Sequence, residues 1–330
     1  MKIAIIGATG LVGREILKII HEKKLDKGNE IYLYASNKSD GLLVAYRKNK
    51  YKVRELKKDN LESFYDFALF SAGSSVSKVW ASEFVSRGAI VIDNSSAFRR
   101  NNNIPLIVPE INLKAVKDSK IIANPNCSTI GASLPIYAMS DLYSIKRIII
   151  STYQAVSGAG QAGVNDLANK TKTKFLYQIC NNLIPQIDKP LKNGYSFEED
   201  KMEFELKKIL NNQLLKVSAT CVRVPITNCH SESVFVEFKN KPNLQNIINR
   251  LKKTEGVTVV NDLERSIYPM PLNANGKNDV FVGRIRCDTS TKNAISFFIS
   301  FDNIRKGAAL NAVQIMEKII KNEKNYKKLP

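Results

Sequence analysis

The first 125 residues alternate between short apolar runs and amphipathic stretches. The run Lys2–Ile6 ends in Gly7, and apolar residues then recur at helical spacing from Leu11 to Ile20. Residues 75–87 have the pattern of a second helix. Further strand candidates are Glu30–Ala35, 67–72, 89–93 and Ile121–Ala123. Regular alternation of strand and helix predicts a parallel sheet with helices on both faces.

The pattern changes after about residue 130. Residues 146–154 and 215–225 are long β-type runs, whereas 232–238 and Ala294–Phe301 alternate polar and apolar positions. These features predict a mixed or antiparallel sheet. Polar helices are expected over 165–174 and 199–210, and an apolar helix over 308–320.

Two domains follow from this organisation and from the length of 330 residues. The predicted fold class is α/β. A Rossmann-type dinucleotide-binding domain covers 1–128 and is completed by a C-terminal helix over about 305–330. An α+β catalytic domain covers 129–304.

Composition narrows the function classes. No apolar stretch is long enough to span a bilayer, and the N-terminal run lacks the features of a signal peptide. The five cysteines have no Cys-x-x-Cys pair, so neither a disulfide framework nor a metal site is expected. The formal net charge of +19 comes from lysines scattered along the chain. Because they form no aromatic-interleaved basic stripe, a nucleic-acid partner is not expected.

Residues 7–13 read Gly-Ala-Thr-Gly-Leu-Val-Gly. A Gly-x-x-Gly-x-x-Gly turn between a strand and a helix is typical of dinucleotide binding, because glycine lets backbone N–H groups approach a pyrophosphate. An NAD enzyme usually has an acid after the second strand. Here Ser36, Lys38 and Ser39 offer hydroxyls and a cation, which favours the 2′-phosphate of NADP(H). Asp40 lies nearby and argues weakly for an ordinary loop.

Cys127 is the candidate nucleophile. It follows Asn124-Pro125-Asn126 and opens an apolar helix for which Asn126 is the predicted N-cap. In the first helical turn a thiolate forms more readily. The alternative is a buried structural cysteine.

The nucleophile needs a base, and the chain has only two histidines. His21 ends the first helix of the dinucleotide-binding domain. His230 is predicted to lie in a loop between two β-type runs, where catalytic groups often occur. By elimination His230 is the candidate base, against the alternative of a structural histidine.

These residues resemble the bacterial aspartate-β-semialdehyde dehydrogenases along essentially the whole chain. Besides the glycine turn, the matching stretches are SSAFR (95–99), PLIVPEIN (105–112), NPNCST (124–129), QAVSGAG (154–160), IPQID (184–188), RVPITNCHS (223–231), NDVFVGRIR (278–286) and DNIRKGAALNAVQ (302–314).

The resemblance implies the site roles. Cys127 would form a thioacyl enzyme, His230 would shuttle protons and Gln154 would orient the acyl group. Arg223 would bind the substrate carboxylate and Glu205 its amine. The phosphate pocket would comprise Arg99, Asn126 and Lys208. The expected NADP contacts are Gly7, Ala8, Thr9, Gly10, Leu11, Val12, Ser36, Lys38, Ser71, Gly73, Ser157, Gly158 and Asn311.

The implied reaction is the reversible reduction of L-aspartyl-4-phosphate by NADPH to L-aspartate-4-semialdehyde and phosphate. The product would feed lysine (through diaminopimelate), threonine and methionine synthesis, in a cytoplasmic homodimer. One departure stands out: Cys229 occupies the position before the histidine where the family usually has glycine, which puts the loop conformation in question.

Two alternatives remain open. The related N-acetyl-glutamyl-phosphate reductases share the fold and chemistry, but their acetylated substrate leaves a Glu205 carboxylate little to bind. A non-catalytic homologue is the other alternative, and the presence of Cys127, Gln154, Arg223 and His230 argues against it.

Overall fold

The structure, a computed structural model, describes residues 1–326. The chain divides into two compact units. The first is Met1–Pro125 together with the segment from Ala308, and the second is Asn126–Gly307. Among the described residues, no helix is both long and apolar enough to cross a membrane.

The described residues form thirteen strands and eight α-helices. The strands are β1 (Lys2–Ile6), β2 (Glu30–Ala35), β3 (Leu43–Tyr46), β4 (Asn49–Glu55), β5 (Phe67–Phe70), β6 (Ile90–Asp93), β7 (Ile121–Ala123), β8 (Ile145–Gln154), β9 (Lys216–Arg223), β10 (His230–Phe238), β11 (Val257–Val259), β12 (Val280–Cys287) and β13 (Ala294–Phe301). The helices are α1 (Leu11–Glu22), α2 (Ser74–Ser86), α3 (Cys127–Ser140), α4 (Gln161–Asn169), α5 (Phe197–Ile209), α6 (Leu244–Lys252), α7 (Pro271–Ala274) and α8 (Leu310–Tyr326).

The first unit is built on a seven-stranded sheet in the order β3-β4-β2-β1-β5-β6-β7. All neighbouring strands are parallel except β3, which pairs antiparallel with β4. The buried side chains of β1 divide between two apolar clusters, with Ile3 and Ile5 in one and Ala4 and Ile6 in the other. This confirms the predicted parallel sheet with two covered faces. The hairpin of β3 and β4 was not predicted.

Helix α8 belongs to the first unit and packs against α1. Its apolar residues share the core cluster of β1 and α1, and Lys23 pairs with Glu317 at 2.7 Å. A short π-helical turn, Arg305–Ala309, precedes it. The predicted helix over 308–320 is therefore present, but its first turn is π rather than α.

The second unit contains a six-stranded sheet in the order β11-β12-β13-β10-β8-β9. The central β10 runs antiparallel to β8 and β13, whereas β8 and β9 are parallel. This confirms the predicted mixed sheet. Because of these directions, the carboxyl ends of β8 and β9 and the amino end of β10 lie at one edge.

The helix predicted over 165–174 is wrong in its bounds, since α4 ends at Asn169. Asp166 ends it: its buried carboxylate accepts hydrogen bonds from the hydroxyls of Thr171 and Thr173 and from three backbone N–H groups of residues 173–175. These bonds fold the chain back after the helix. They also hold the pKa of Asp166 below its usual range, against the effect of burial.

Candidate active site

The turn after β1 is a backbone cradle that glycine alone allows. Gly7 has φ +84°, and a Cβ there would lie 2.8 Å from the carbonyl carbon of Ser71. A Cβ at Gly13 would lie 2.2 Å from the carbonyl oxygen of Gly7. Helix α1 follows with Gly10 as N-cap. These glycines thus let the turn, including Ala8, Thr9, Leu11 and Val12, pack closely on neighbouring backbone at a helix N-terminus, the end of a helix that favours a pyrophosphate.

The loop after β2 carries the groups expected near an adenosine ribose. Ser36 precedes a short 3₁₀ turn, Asn37–Ser39, in which Lys38 is exposed. The hydroxyl of Ser39 lies 3.5 Å from that of Thr9 in the glycine turn. The carboxylate of Asp40 accepts a hydrogen bond from the backbone N–H of Glu55 at 2.8 Å. Asp40 therefore supports β4.

Three further predicted cofactor residues lie in the first unit. Ser71 donates its hydroxyl to the carbonyl of Ile6 at 3.0 Å, and Gly73, with φ +90°, is the N-cap of α2. Asn311 is fully buried and donates to the Asn124 side-chain oxygen at 2.7 Å. Its own Oδ1 is buried with no hydrogen-bond partner among the described residues. An orphaned acceptor of this kind fits a ligand amide.

Ser157 and Gly158, also predicted to bind the cofactor, lie in the second unit. They occupy the 3₁₀ turn Val156–Ala159 that follows β8. The hydroxyl of Ser157 is within 3.0 Å of the side-chain oxygen of Asn228, and it accepts from Asn303 Nδ2 at 3.0 Å. This turn is tied to the segment just before β10.

Helix α3 places Cys127 at its first position. The Asn126 side chain accepts a hydrogen bond from the Ser128 backbone N–H at 2.9 Å, which confirms the predicted N-cap. The thiol is therefore at the positive end of the helix dipole, where the thiolate is favoured. Cys127 also interacts electrostatically with the Arg223 guanidinium.

Two other cysteines of the second unit, Cys221 and Cys229, are poorly suited to nucleophilic attack. Cys221 and Cys229 are buried, and burial raises the pKa of both thiols, that of Cys229 to about 12. Cys287 is exposed at the end of β12. Cys127, half-buried at a helix N-terminus, has the environment of a reactive thiol.

Three predicted site residues meet at the common edge of the second sheet. Gln154 ends β8, Arg223 ends β9 beside it in register, and His230 begins β10. Position 230 is therefore the first residue of a strand, and the predicted loop ends one residue earlier. All three side chains are buried.

Arg223 and His230 face one small space above Gly158. The Nη1 atom of Arg223 donates to the carbonyl of Ala155 at 2.7 Å. A Cβ at position 158 would lie 2.8 Å from that Nη1 and 3.2 Å from His230 Nε2. Glycine at 158 therefore keeps open a space lined by a cation and a ring nitrogen, which suits a substrate oxygen.

We expect Gly158→Ala to fill this space. The methyl group would displace the Arg223 guanidinium or the imidazole, and kcat/KM should fall by at least about 10-fold, because misplacement of about 1 Å is costly in a preorganised site. Thermal unfolding should change little. Steady-state kinetics and calorimetry check both points, and wild-type kcat/KM in this variant would contradict the placement.

Sequence reasoning missed Glu198. This buried carboxylate on α5 accepts hydrogen bonds from Asn126 Nδ2 at 2.9 Å, Gln154 Nε2 at 3.2 Å and Lys201 Nζ at 2.8 Å. Burial alone would raise the pKa of Glu198, but Lys201 and Asn126 hold it below its usual range. Glu198 thus links the helix cap beside Cys127 to Gln154. The sequence does contain a signal for this residue. Ser196 and Glu199 form a capping box, so Glu198 lies in the first turn of α5, on the same helix face as Glu205.

The other residues predicted to bind the substrate are Glu205, Lys208 and Arg99. Glu205 on α5 is fully buried and accepts the backbone N–H of Asn126 at 2.6 Å. Lys208, one turn on, has a pKa lowered by burial, and the Glu205 carboxylate opposes this. Arg99 lies in the first unit, buried, and donates to the carbonyl of Asn94 at 2.7 Å. The structure thus brings Glu205, Asn126 and Cys127 together.

The other histidine has structural partners. His21 is buried in the first unit, with Nδ1 2.9 Å from the Asp26 carboxylate and Nε2 2.9 Å from the Tyr51 hydroxyl. Its ring stacks on Tyr46 at 4.8 Å. His21 therefore joins α1 to the β3–β4 hairpin.

Cys229 adopts the left-handed backbone that its position requires, with φ +76°. Its N–H donates to Asn303 Oδ1 at 2.9 Å, which fixes the peptide before His230. A non-glycine residue pays about 1–2 kcal/mol for this conformation. Cysteine at this position therefore holds a backbone conformation that glycine would adopt without strain.

We expect Cys229→Gly to be tolerated and Cys229→Val to be destabilising. Glycine relieves the strain but adds unfolded-state freedom and loses the buried thiol, so stability should stay within about 1 kcal/mol. Valine is similar in size but β-branched, and it should cost at least about 2 kcal/mol. Denaturant unfolding of both variants checks the order. A valine variant more stable than the glycine variant would contradict the backbone assignment.

A second close approach involves Gly307 in the π-helical turn. A Cβ there would lie 2.9 Å from the Cβ of Cys127. Gly307 therefore allows this turn to pack against Cys127. In the sequence, Gly307 lies in the stretch DNIRKGAALNAVQ (302–314), and nothing in that stretch indicates the contact with Cys127.

Comparison with known proteins gives the same two-part division. Residues 2–119 match the semialdehyde dehydrogenase NAD-binding domain, and residues 134–306 match the semialdehyde dehydrogenase dimerisation domain.

Curated relatives match nearly the whole chain. An aspartate-semialdehyde dehydrogenase of Aquifex aeolicus is 45% identical, over 97% of this chain and 98% of its own. That of Bacillus subtilis is 44% identical with the same coverage.

Two solved structures are similar to this chain over nearly its whole length. The aspartate semialdehyde dehydrogenase II of Vibrio cholerae, complexed with ASA, superposes with a TM-score of 0.93 at 38% identity, covering 97% of this chain and 98% of that one. The Candida albicans aspartate semialdehyde dehydrogenase, solved with NADP, gives a TM-score of 0.74 at 26% identity, covering 96% and 98%.

Proposed function

This chain belongs to the aspartate-semialdehyde dehydrogenase family, and we propose that it catalyses the reversible NADPH-dependent reductive dephosphorylation of L-aspartyl-4-phosphate, with Cys127 as the nucleophile. The products are L-aspartate-4-semialdehyde and phosphate, and the reaction serves amino-acid biosynthesis. The observation that carries the proposal is that Arg223, which ends β9 beside Gln154, interacts electrostatically with Cys127 at the start of α3 and lines the space at Gly158 together with His230.

Cys127 begins the reaction. Its thiolate, stabilised at the N-terminus of α3, attacks the acyl carbon and releases phosphate, which leaves a thioacyl enzyme. NADPH, when bound, supplies the hydride that reduces this acyl group. Gln154, whose amide Nε2 donates to Glu198, would orient the acyl group.

Charged side chains select the substrate. The planar guanidinium of Arg223 suits a bidentate contact with the α-carboxylate. Glu205 offers a carboxylate to the ammonium group, whereas an acetylated amine carries no charge that would attract it. Arg99, Asn126 and Lys208 would hold the phosphate.

The glycine turn is the place for NADPH. The tight glycine turn at the N-terminus of α1, the orphaned oxygen of Asn311 and the cationic loop at Lys38 fit a dinucleotide with a 2′-phosphate.

We expect NADPH to be preferred to NADH, and Lys38→Ala to reduce the preference by about 10-fold. A hydrogen bond to a charged group is worth about 1.5–3 kcal/mol. The exposure of Lys38 places its contribution near the lower end, at about one decade in kcat/KM. The ratio of kcat/KM for the two cofactors should shift in Lys38→Ala and stay constant in Lys27→Ala, an exposed lysine of the same unit. If the ratio is unchanged in Lys38→Ala, the preference for NADPH does not depend on Lys38.

The active form is proposed to be a homodimer in the cytoplasm. The matched dimerisation domain and the apolar side chains on one face of its sheet support this, since Ile149 and Tyr153 are 42% and 38% exposed. Reduced thiols at Cys127, Cys221 and Cys229 suit the cytoplasm. A monomeric mass in sedimentation equilibrium, or activity in the periplasmic fraction, would contradict these assignments.

The function is tested by assaying NADP⁺ reduction with aspartate semialdehyde and phosphate. Continuous formation of NADPH over many turnovers should require both. The same assay with N-acetyl-glutamate semialdehyde should give less than about a hundredth of the rate, because its acetylated amine carries no charge for the Glu205 carboxylate to bind. Faster turnover of the acetylated substrate would assign the chain to the related reductases, and no turnover of either would indicate a non-catalytic homologue.

A further inference from the structure

The central strand of the second sheet carries a buried carboxyl group close to the first turn of α3. Glu232 lies on β10, with Thr152 of β8 and Ile299 of β13 as its neighbours in register. It is fully buried, and helix α3 packs against its strand. The charge state of a fully buried glutamate depends on its protein neighbours, because a carboxylate out of water is costly unless it is paired.

The surroundings of Glu232 do not stabilise a negative charge. In the part of the chain that the structure describes, neither carboxyl oxygen has a hydrogen-bond partner. Burial, together with the nearby carboxylate of Glu198 on α5, raises the pKa of Glu232 well above its ordinary value. The guanidinium of Arg223, at the end of β9, lowers the pKa of Glu198 rather than that of Glu232.

The other titratable groups on the elements packed around Glu232 supply no cation either. Burial raises the pKa of the Cys221 thiol on β9, so this thiol is uncharged. Burial and Arg223 hold the pKa of His230, on the same strand, well below its ordinary value, so its ring is uncharged as well. Glu199 on α5 is an acid, and helix α3 contains no lysine, arginine or histidine. Glu232 is therefore expected to keep its proton.

Ser128 is the polar residue of α3 that acts on this carboxyl. Its hydroxyl opposes the rise in the pKa of Glu232. Ser128 is fully buried, follows Cys127 directly and donates its backbone N–H to the Asn126 cap. Its Oγ, like the carboxyl oxygens, has no hydrogen bond of good geometry among the described residues. A neutral carboxyl has an O–H that can donate to this oxygen, and one such bond would satisfy both buried groups.

We propose that Glu232 is a neutral carboxylic acid that donates to Ser128, and that it is a positioning residue for Cys127 because it anchors the first turn of α3 to the sheet. This rests on the proposed function, in which Cys127 is the nucleophile. The neutral form also keeps a further carboxylate charge, in addition to that of Glu198, away from the thiolate. An ionised Glu232 would oppose the stabilisation that the helix N-terminus provides.

Infrared difference spectroscopy of the unliganded protein at about pH 7 tests the charge state directly. The C=O stretch of a protonated carboxylic acid should be lost in Glu232→Gln, and it should change frequency in Ser128→Ala, which lacks the acceptor. Glu62→Gln is the matched control and should leave the band in place, because Arg54 and Lys2 hold the pKa of Glu62 below its ordinary value. No loss in Glu232→Gln, or an unchanged frequency in Ser128→Ala, would overturn the proposal whatever the activity.

The pH dependence of unfolding tests the charge state independently. The proton on Glu232 favours folding fully below about pH 4.3, the ordinary pKa, and this gain is lost as the pH rises towards the raised pKa of the folded protein. Relative to Glu232→Gln, the unfolding equilibrium constant of the wild type should therefore increase about tenfold per pH unit from about pH 5 to about pH 7. A constant ratio over this range would contradict a neutral Glu232.

Alkylation of Cys127 by iodoacetamide tests the effect on the thiol. The reaction is followed by mass spectrometry on the peptide that carries Cys127. Glutamine is neutral, so the pH midpoint of alkylation in Glu232→Gln should equal that of the wild type. If Glu232 were ionised, removing its charge would make the thiol more acidic, so a lower midpoint in Glu232→Gln would overturn the proposal.

Glu232→Leu separates positioning from packing. Leucine fills a similar volume but cannot bond to Ser128, so kcat should fall at least about tenfold, because small displacements are costly in a preorganised site. The KM for NADPH should not change, and Glu232→Gln should recover most of the lost kcat. A folded leucine variant with wild-type kcat would refute the positioning role. The infrared and alkylation measurements need no substrate, so they test the proposal even if the wild type lacks the proposed dehydrogenase activity.

Discussion

Replacement of Cys127 by serine is expected to abolish turnover while NADPH binding is kept. A serine hydroxyl is far less ionised than a thiol at neutral pH, and the N-terminus of α3 cannot make up that difference. Activity should fall to below about one per cent. The glycine turn that is expected to bind the cofactor lies in the first unit, whereas Cys127 lies in the second. Fluorescence titration with NADPH should therefore give an unchanged Kd.

Cys287→Ser is the matched control, because this thiol is exposed at the end of β12. It should keep full activity. Retention of more than a few per cent of activity by Cys127→Ser, with loss in the control, would contradict the nucleophile assignment.

Replacement of Arg223 by lysine is expected to reduce kcat/KM for aspartate semialdehyde by about 100-fold. Lysine keeps the positive charge but loses the planar fork, so the substrate carboxylate keeps one contact at most. The hydrogen bond from Nη1 to the carbonyl of Ala155 is lost as well. Each bond to a charged group is worth about 1.5–3 kcal/mol, or about one to two decades.

Steady-state kinetics check the size of this effect. Arg265→Lys is the matched control, since Arg265 is exposed and 3.7 Å from Asp262 in a surface ion pair. That change should leave kcat/KM unaltered. A loss below about threefold in Arg223→Lys would contradict carboxylate binding by this residue.

Much of the site was predictable because its signals are local. The glycine turn follows a strand and opens a helix, and the cap at Asn126 identifies the first turn that carries Cys127. Both depend on a few consecutive residues and on backbone sterics.

The supporting contacts were not predictable in this way. Glu198 acts through partners distant in sequence, Asn126 and Gln154, and Gly158 and Gly307 are informative only when their spatial neighbours are known. The hydrogen bond from the Ala155 N–H to His230 Nδ1 likewise joins residues that are 75 apart in the sequence.

The missed elements have equally physical reasons. The β3–β4 hairpin turns at Arg47, with φ +53°, and lacks the glycine or asparagine that usually indicates such a turn. Helix α4 ends because Asp166 accepts five hydrogen bonds from residues that follow the helix. The spacing of apolar residues along the sequence gives no information about these hydrogen bonds.

The most direct test of the central claim is to mix the enzyme with NADP⁺ and aspartate semialdehyde in the absence of phosphate. The account predicts a burst of one NADPH per active site and an acyl adduct on the peptide that carries Cys127, seen by mass spectrometry and released on addition of phosphate. No burst, or an adduct that persists in Cys127→Ser, would contradict it.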